Sequence, residues 1–542
     1  MEEAMDIISR AMMERRQISS RKELNDQTWE HFEEKKTGKK VVIFGAGPCA
    51  SIFWEKYGDQ AEVCEIIDSD ESKQGVLAGE IIPELFLLNN HSLVVQDLSC
   101  LKKYDVEDII VLVASTYCYE SMVCKLEELG IIHIFVILIM EANFRMAYNY
   151  DLESDIYTLK GKKIKCAESY THLPIERKKI IFRGAGSYSD HGKYITEQLL
   201  KCDENLDIVW IVNKLDKQVP QGVRLVLLSN WGKYLYEMET AHIWITDQVF
   251  EDYIKKRPQQ IYIQTKHWAS VTLKKFYLDA STITDVEENV ALWKHNSNIM
   301  DYIIVGSEFD ENSCRRGFNF SKDFIRIGSP RTDAMFHKDI MKYKICSEYK
   351  IPPSTKMLCY APTYRYKQNI QGSHIAEARN IDLDYVMIRK VLQESFGGEW
   401  IILLRLHPSV VRESKNIKHP EYVIDVSDYD DSEELCAACD ILISDYSSIM
   451  FEPAFVKKPV FLLATDRTDY IDKEYDLLID YDKLPFPIAE SNAELVENIR
   501  NFDQMSYEKR VTDFLEAYGV HEDGHASERA TEFILNLIET SY

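Results

Sequence analysis

Short apolar runs rich in β-branched residues alternate with helix-like segments along almost the whole chain. Examples are KKVVIFGAG, DIIVLVAS, DIVWIVNK and EWIILLRLH. Strands that are buried on both faces give continuous apolar runs of this kind, and parallel sheets covered by helices contain such strands. The pattern therefore predicts an α/β fold. It forms three blocks, which begin near Lys39, Lys178 and Ile325 and show no internal repeat.

Length and charge narrow the class of protein further. The chain has 542 residues, which at roughly 150 residues per domain corresponds to three or four domains. Lys and Arg total 64 and Asp and Glu total 89, so the formal charge is −25. Nucleic-acid-binding proteins usually carry a basic excess, so the balance argues against that class. A local basic groove for a phosphorylated substrate stays compatible with it.

The N-terminus and the cysteines point to the cytoplasm. Residues 1–35 are charged throughout, which predicts a helical segment rather than a signal peptide. The most apolar run, Ile131–Met140, is far shorter than the ~20 residues that span a bilayer, so we expect a buried strand there. Twelve cysteines are scattered along the chain, and the CxxC of Cys436 and Cys439 has no second pair at zinc spacing. Helix packing in a reducing compartment explains them.

The first block carries a glycine-rich turn after its first strand. Gly45, Gly47 and Ala50 form a GxGxxA variant, and Asp68 follows Gly45 by 23 residues. Such glycines allow a phosphate to approach the next helix, and an acid at this distance can bind a ribose. A nucleotide-binding unit and an accessory domain with an empty loop both remain open. The GAG turn, IDSDESKQG and LEELGI resemble small N-terminal domains of bacterial surface-polysaccharide enzymes.

Polar clusters follow four strands of the second and third blocks. Because ligands of open α/β sheets bind at the carboxyl ends of the strands, we expect these clusters to meet in one cleft. The candidates are His267 with Lys274 and Lys275, Thr363 with Arg365, Arg405 with His407, and Asp445 with Ser447 and Ser448.

Each cluster has a chemical and a structural interpretation. A histidine beside cations is a candidate general base. Arginine suits bidentate phosphate binding, and hydroxyl groups at a helix start suit phosphate as well. Taken singly, however, these residues could be buried structural histidines, ion-paired arginines and helix caps. Their convergence is what favours function.

The same segments resemble the CDP-glycerol glycerophosphotransferase family, the polymerases and primases of wall teichoic acid. The resemblance runs from about Lys178 to the C-terminus and rests on IYIQTKHWASVTLKKF, DYIIVGSEFD, IGSPRTDAMF, YAPTYR, RLHPSV, CDILISDYSSIMFEPAFVKKPVFLLATDRTDY and DGHASER. It implies a GT-B fold of two facing Rossmann-like lobes, preceded here by an additional Rossmann-like domain. It also implies transfer of a polyol phosphate from a CDP-polyol to an acceptor hydroxyl, with release of CMP.

The resemblance assigns roles to individual residues. His267 falls on the family's proposed base and His407 on the histidine near the donor phosphates. The predicted donor-binding set is Arg331, Thr363, Arg365, Arg405, Asp445, Ser447, Ser448 and Lys274, and Asp333 lies in the same turn as Arg331. One motif departs from the family, which reads QTWHGTPLKK where this chain reads QTKHWASVTLKK. We expect Trp268 to fill space that the family's glycine leaves open for substrate.

These inferences give a full set of predictions. The predicted regions are a helical segment 1–35, a Rossmann-like accessory domain 36–160, GT-B lobes 161–324 and 325–520, and a C-terminal helix 521–542 that crosses back to the first lobe. The predicted donor is CDP-glycerol or CDP-ribitol, the acceptor is lipid-linked or a glycan, and no metal is required. The predicted location is the cytoplasm, with room for peripheral contact at the inner face of the membrane. A nucleotide-sugar glycosyltransferase and a catalytically altered CDP-polyol-binding scaffold are the alternatives.

Overall fold

Three parallel sheets and the helices between them organise the chain. The computed structural model describes residues 7–8, 10–11, 17–58, 62–88, 92–147, 152–216, 218–280, 286–363, 365–368, 374–377, 382–407, 419–468, 470 and 476–540. Two compact units divide the chain. One comprises Met1–Ile181, Val209–Val219 and Val223–Ala241, and the other comprises Phe182–Ile208, Pro220–Gly222 and His242–Tyr542.

The first sheet has five strands in the order β3-β2-β1-β4-β5, the order of a Rossmann-like half. Its strands are β1 (Lys40–Phe44), β2 (Glu65–Ile67), β3 (Val95–Gln96), β4 (Ile109–Val113) and β5 (Ile134–Val136). Ile43 of the central strand pairs with Ile66 on one side and Leu112 on the other. The accompanying helices are Lys22–Asn25, Trp29–Lys36, Ser51–Tyr57, Pro83–Leu87, Tyr119–Glu128, Ile137–Ala147 and Leu152–Tyr170.

The second sheet has seven strands in the order β12-β11-β10-β9-β6-β7-β8. They are β6 (Glu176–Arg183), β7 (Asp207–Val212), β8 (Val223–Leu227), β9 (Ala241–Thr246), β10 (Ile261–Gln264), β11 (Tyr302–Val305) and β12 (Asp323–Arg326). The helices of this region are Asp190–Cys202, Trp231–Thr240, Val286–Ile299 and Glu308–Gly317.

The third sheet has six strands in the order β17-β16-β13-β18-β19-β20, and a separate antiparallel hairpin joins β14 to β15. The strands are β13 (Lys356–Ala361), β14 (Arg365–Gln368), β15 (His374–Glu377), β16 (Trp400–Leu404), β17 (Val423–Asp425), β18 (Ile441–Ser444), β19 (Val460–Leu463) and β20 (Ile488–Ala489). Alternate residues enter two separate cores, since Cys359 and Leu442 pack on one face and Leu358 and Ile443 on the other. The helices here are Lys338–Glu348, Tyr385–Phe396, Ser432–Ala438, Phe451–Phe455, Asn492–Arg500, Gln504–Ala517 and Ala526–Thr540, and a 3₁₀ turn covers Pro330–His337.

Some predicted elements differ from the observed ones. The run Ile131–Met140 is buried from Phe135 onward but exposes Ile132, only β5 within it is a strand, and the helix Ile137–Ala147 begins directly afterwards. A short apolar run fits a buried strand and a buried helix equally well, which explains the difference. The predicted boundary after residue 160 falls inside the helix Leu152–Tyr170, and the one after residue 324 falls inside β12.

The C-terminal helix Ala526–Thr540 returns to the helix Asp190–Cys202 and to the turn Pro330–His337. Its buried face includes Ala530, Ile534 and Ile538. Asp333 caps its start, since the carboxylate accepts hydrogen bonds from the backbone N–H groups of residues 526 and 527 at 3.1 and 2.8 Å. In the part of the chain that the structure describes, no helix has the length and apolar character needed to cross a bilayer.

Candidate functional site

The turn that follows β10 presents His267 to solvent. Lys266, just before it, adopts the left-handed region with a φ of 57°, which is uncommon for a residue other than glycine. The Gln264 side chain stabilises this conformation by accepting a hydrogen bond from the Lys266 N–H at 2.8 Å. Lys266 and Trp268 are buried whereas His267 is exposed. The turn therefore points one functional side chain outward between two that face the interior.

Buried side chains bind the backbone carbonyls of this turn. Arg331 Nη1 donates to the carbonyl of His267 at 2.9 Å. His191 Nε2 lies 3.0 Å from the carbonyl of Trp268, and because a carbonyl can only accept, this nitrogen carries the proton. Lys266 Nζ donates to the carbonyls of Trp268 and Ala269 at 3.2 and 3.4 Å. The direction of the His267 side chain is thus set by groups outside its own strand.

Protonation of His267 is disfavoured. Protein surrounds much of the ring, and this desolvation, together with the cations Arg331, Lys266 and Lys274, lowers its pKa from 6.5 to about 4. The imidazole is therefore neutral at pH 7 and able to accept a proton.

His407 lies at the end of β16 and shares this environment. It is exposed, and desolvation, followed by the charges of Arg405, His267 and Lys274, lowers its pKa to about 4. Because His267 and Lys274 both act on the His407 ring, and Lys274 also acts on His267, these three side chains lie in one region. Arg405 lies beneath them, where its guanidinium donates to the Ser427 carbonyl. Pro408, the next residue of the predicted motif, lies outside the described residues.

The Asp445 carboxylate organises the turns after β13 and β18. Its Oδ1 accepts hydrogen bonds from the N–H and hydroxyl of Thr363 at 2.9 and 2.6 Å, and from the Tyr446 N–H at 2.6 Å. Its Oδ2 accepts from Arg365 Nη2 at 3.1 Å. Asp445 and Thr363, which we expected to bind the donor, satisfy each other here, and they shape the turn.

Arg365 is buried and largely occupied by protein partners. Its Nε and Nη2 donate to both oxygens of Asp466 at 2.7 and 3.0 Å, and its Nη1 donates to the Thr363 carbonyl at 2.5 Å. The guanidinium also lies against the rings of Tyr446 and Tyr470. This bidentate pairing with Asp466 occupies the guanidinium N–H groups that we expected to bind phosphate. The structure therefore shows Arg365 bound by protein partners in place of the predicted phosphate contact.

The two serines after β18 differ in their contacts. Ser447 is half-buried and its hydroxyl accepts only a long bond of 3.4 Å from the Ile449 N–H. Ser448 instead accepts from the Leu273 N–H at 3.1 Å and lies 3.2 Å from the Thr272 hydroxyl. Ser448 thereby ties the segment after His267 to the third sheet, a role that was not expected of it.

Lys274 adds to the contacts that hold the segment after His267 in place. It forms an isolated antiparallel bridge with Leu477, and the Leu478 N–H donates to the Leu273 carbonyl at 2.8 Å. Its ammonium lies 5.2 Å from the centre of the Tyr470 ring. Lys274 keeps its cation within reach of both histidines, because it lowers the pKa of each.

Arg331 does not point at an open anion site. It is buried and pairs with Asp190 at 2.7 Å, with Glu452 at 3.0 Å and with Glu433. Three carboxylates and the His267 carbonyl engage its guanidinium, so its predicted phosphate contact is replaced by a role in fixing the turn. Desolvation raises the pKa of Glu452 to about 7, and the Arg331 charge opposes that rise.

Trp268 does not take up open space beside the imidazole as we expected. The indole is buried, its Nε1 donates to Asp310 at 3.1 Å, and its ring packs 4.3 Å from that of Phe276. The His267 ring meets it edge to face. Sequence reasoning missed Asp310 and His191, although the DHGK sequence after the glycine loop of the second block was a signal for the latter.

The glycine turn of the first block is held by contacts with residues of the same block. A Cβ on Gly45 would lie 2.3 Å from the Ala114 carbonyl, whereas one on Gly47 would meet nothing within 4 Å. Asp68 accepts from the Ala46 N–H at 2.8 Å and from Lys73 at 3.1 Å. Close packing against β4 therefore explains Gly45, and the acid expected to bind a ribose binds the loop. This favours the accessory-domain interpretation over nucleotide binding.

Two histidines with lowered pKa values, a lysine and a serine turn lie at the strand ends of two α/β sheets, an arrangement that suits an anionic, phosphorylated donor. Residues 166–536 match the family described as CDP-Glycerol:Poly(glycerophosphate) glycerophosphotransferase, and the chain belongs to this family. The predictions of the family, of the GT-B type of fold with an additional domain, and of a polyol-phosphate transferase are thereby confirmed. The glycosyltransferase alternative loses its support.

Relatives and solved structures agree with this assignment. The teichoic acid glycerol-phosphate transferase of Staphylococcus aureus is 30% identical over 360 residues, covering 64% of this chain and 90% of that one. The teichoic acid poly(glycerol phosphate) polymerase of Bacillus subtilis is 28% identical over 67% of this chain, which spans about half, 49%, of its length. The wall teichoic acid polymerase TagF has a similar structure, with a TM-score of 0.62 and 25% identity over 72% of this chain and 97% of that one.

Proposed function

We propose that the protein transfers glycerol phosphate from CDP-glycerol to a hydroxyl group of a surface-polymer acceptor and releases CMP. The observation that carries this proposal is the pair of neutral, exposed histidines, His267 and His407, beside Lys274. A variant of TagF was solved after a soak with CDPG, and that similarity supports the donor. CDP-ribitol is the second candidate donor, since a teichoic acid ribitol-phosphate primase is 27% identical.

The proposed reaction assigns one step to each histidine. His267 accepts the proton of the acceptor hydroxyl, whose oxygen attacks the β-phosphorus of the donor in line. The bond between that phosphorus and the bridging oxygen breaks, and CMP leaves with the bonding electrons. His407 donates a hydrogen bond to the phosphate oxygens that gain charge. The proton on His267 then passes to solvent.

The charges of the site support this division. In the free protein desolvation, followed by the charges of nearby cations, holds the pKa of His267 at about 4, which makes it a weak base. The anionic donor would offset these cations and raise that pKa towards the working pH, where a general base is most effective. Binding of the donor would thus make His267 a stronger base.

The remaining predicted residues take supporting roles. Arg405 and Lys274 supply positive charge, and the Ser447 hydroxyl is placed to donate to a donor phosphate. Arg365, Thr363 and Asp445 hold the turn that presents it. Because lysine, arginine and histidine side chains meet the donor charge, the proposed transfer needs no metal ion. Undiminished turnover after dialysis against EDTA is the expected result.

The decisive experiment measures CMP release by His267→Ala and His407→Ala with CDP-glycerol and CDP-ribitol as donors. We expect losses on the order of 10²- to 10⁴-fold in kcat for His267→Ala. His31→Ala, at an exposed histidine of the first block, serves as the matched control. Wild-type rates in both site variants would contradict the assignment, and UDP release from a UDP-sugar would restore the glycosyltransferase alternative. Tight CDP-glycerol binding without turnover on any acceptor would indicate a scaffold.

A lipid-linked acceptor at an anionic membrane surface is part of the proposal. The helix Lys338–Glu348 buries Ile345 but exposes Ile340 and Tyr343 by 64% and 74%, and Phe336, in the turn before the helix, is 38% exposed. Residues 338–350 contain four lysines and two carboxylates within a chain of charge −25. Lys338 and Lys342 pair with Asp440, and Lys344 pairs with Glu434, so the exposed apolar side chains are the main support for this surface. Apolar side chains beside lysines suit the interface of a bilayer.

Vesicle sedimentation tests this surface. The full chain is expected to bind vesicles of phosphatidylglycerol and phosphatidylcholine, and the variant Ile340→Ser/Tyr343→Ser is expected to lose binding. Met505→Ser, at a side chain that is 81% exposed on another helix, should bind like the wild type. Unchanged binding by the double variant would contradict the membrane surface, as would a change of oligomeric state in its place.

A further inference from the structure

Four successive backbone carbonyls, from His267 to Ser270, are each bound by a side chain. The His267 carbonyl accepts from Arg331, and the Trp268 carbonyl accepts from His191 and Lys266. The Ala269 carbonyl accepts from Lys266, and the Ser270 carbonyl accepts from the Ser307 hydroxyl at 2.6 Å. The turn therefore has little freedom to change the direction of the His267 side chain.

Lys266 provides two of these bonds from a fully buried position. Its ammonium also pairs with Asp310 at 3.0 Å, and both side chains have no exposed area. The three N–H groups of the ammonium thus have three partners: one carboxylate and two carbonyls. These partners replace the hydrogen bonds to water that the buried side chain lacks.

Asp310 connects the pair to the rest of the lobe. It accepts from Trp268 Nε1 at 3.1 Å and from the Gly306 N–H at 3.1 Å. It lies near the start of the helix Glu308–Gly317, whose cap is the same Ser307 that binds the Ser270 carbonyl. Asp310 therefore joins both residues that flank His267 to one helix end.

We propose that the buried Lys266–Asp310 pair is the positioning device for His267, built by residues on either side of the proposed base. The inference rests on the proposed function, in which His267 accepts the acceptor proton. The pair touches no substrate, so it acts through the geometry and the electrostatics of the turn. In the motif given above, Lys266 stands at the position of the family's tryptophan, and Trp268, which donates to Asp310, stands at the position of its glycine.

Substitution of either partner tests the geometry. Lys266→Met and Asp310→Asn are each expected to lower kcat by on the order of 10- to 100-fold, because a displaced base loses alignment, while KM for CDP-glycerol changes little. Glu311→Gln is the matched control, since this neighbouring carboxylate pairs with Arg315 and Arg326 instead. Should a single variant fail to fold, the double variant Lys266→Met/Asp310→Asn removes both charges together and keeps the test.

A second readout separates positioning from a purely structural role. Loss of the lysine removes a cation near His267 and should raise the pKa of that histidine, whereas loss of the carboxylate should lower it. The histidine resonance is followed by NMR and assigned with His267→Ala. The other charged groups around the turn stay the same in both variants: Arg331, Asp190, His191, Lys274 and His407.

Opposite shifts in the histidine pKa together with reduced kcat are the expected result. Wild-type kcat in the folded pair variants, with an inactive His267→Ala, would overturn the positioning inference and leave the proposed function standing. An active His267→Ala would overturn the proposed function, whatever the pair variants do. Shifts in the same direction would overturn the electrostatic part of the inference.

Discussion

The turns after β10 and β18 are held by opposite kinds of group. The first is fixed through its carbonyls, which accept mainly from cationic side chains such as Arg331 and Lys266. The second is fixed through N–H and hydroxyl groups that donate to the Asp445 carboxylate, whose charge Arg365 balances. Buried carboxylates pair with the cations of the first turn, and Asp445 and Asp466 pair with the cation of the second. The comparison teaches that one turn is fixed by donors that lie outside it and the other by an acceptor that lies within it.

Arg331→Met should break the cation-held turn with the largest effect. It leaves Asp190, Glu433 and Glu452 without their shared cation, and loss of one partner from a buried ion pair costs about 3–5 kcal/mol. Denaturant unfolding would measure this loss in the free energy of unfolding. Arg326→Met is the control, because that arginine is 67% exposed and should change stability by less than about 1 kcal/mol. Equal stability of the two variants would contradict the role given to Arg331.

Asp445→Asn should weaken the carboxylate-held turn by a smaller amount. The amide oxygen can still accept from Thr363, but the charge that faces Arg365 is lost, which is expected to cost about 1.5–3 kcal/mol. KM for CDP-glycerol should rise more than kcat falls, because the turn seats the donor. Asp440→Asn, at the other end of β18 and partly exposed, should leave KM unchanged. A fall in kcat alone would indicate that Asp445 acts in the chemistry instead.

The pH dependence of kcat and kcat/KM tests the electrostatics of the turn that carries His267 while the protein stays folded. Since the pKa of His267 is lowered to about 4, the base stays neutral until the pH falls through that value, and kcat/KM should decrease only there. Bound donor raises this pKa, so the acid limb of kcat should lie at higher pH than that of kcat/KM. Lys274→Met removes a cation and should shift the kcat/KM limb upward by up to about 1 unit. A downward shift would contradict the assigned electrostatics, and circular dichroism at each pH controls for unfolding.

Ser448→Ala and Thr272→Ala should give the smallest effects and decide what Ser448 does. If Ser448 only ties the segment after His267 to the third sheet, both variants lose about 0.5–1.5 kcal/mol of stability and keep their KM. If it also binds a donor phosphate, Ser448→Ala alone raises KM for CDP-glycerol. Steady-state kinetics with denaturant unfolding of both variants separates these outcomes.

The sequence predicted where the functional residues lie better than what they touch. His267, His407 and Asp445 follow strands that the apolar runs already delimit, so their positions at the carboxyl ends of strands in two sheets could be inferred. The partners of Arg331 and Arg365 could not, since Glu433 and Asp466 lie 102 and 101 residues away along the chain. Pairing over such distances depends on the folded structure, and it changes a predicted phosphate ligand into a support for the turn.

The same limit explains the His267 motif. Lys266 and Trp268 depart from the family motif, and the sequence alone predicted that the larger indole fills space left open for substrate. The buried carboxylate of Asp310 accounts for both residues at once, and its position in a helix 42 residues later carries no local signal.

The contacts of Glu522, and the capping of the helix Ala526–Thr540, limit when the turn after the proposed base can be completed during synthesis. Glu522 accepts from Ser270, from the Ser329 N–H at 3.1 Å and from the Thr332 hydroxyl at 3.1 Å, and Asp333 caps the helix that follows. The Ser270 hydroxyl, in the turn that follows the proposed base, therefore gains this partner only after residue 522 has been synthesised. A nascent chain that ends before residue 522 would lack the contacts of Glu522 with Ser270, Ser329 and Thr332, so we expect this region to reach its final structure only after that point.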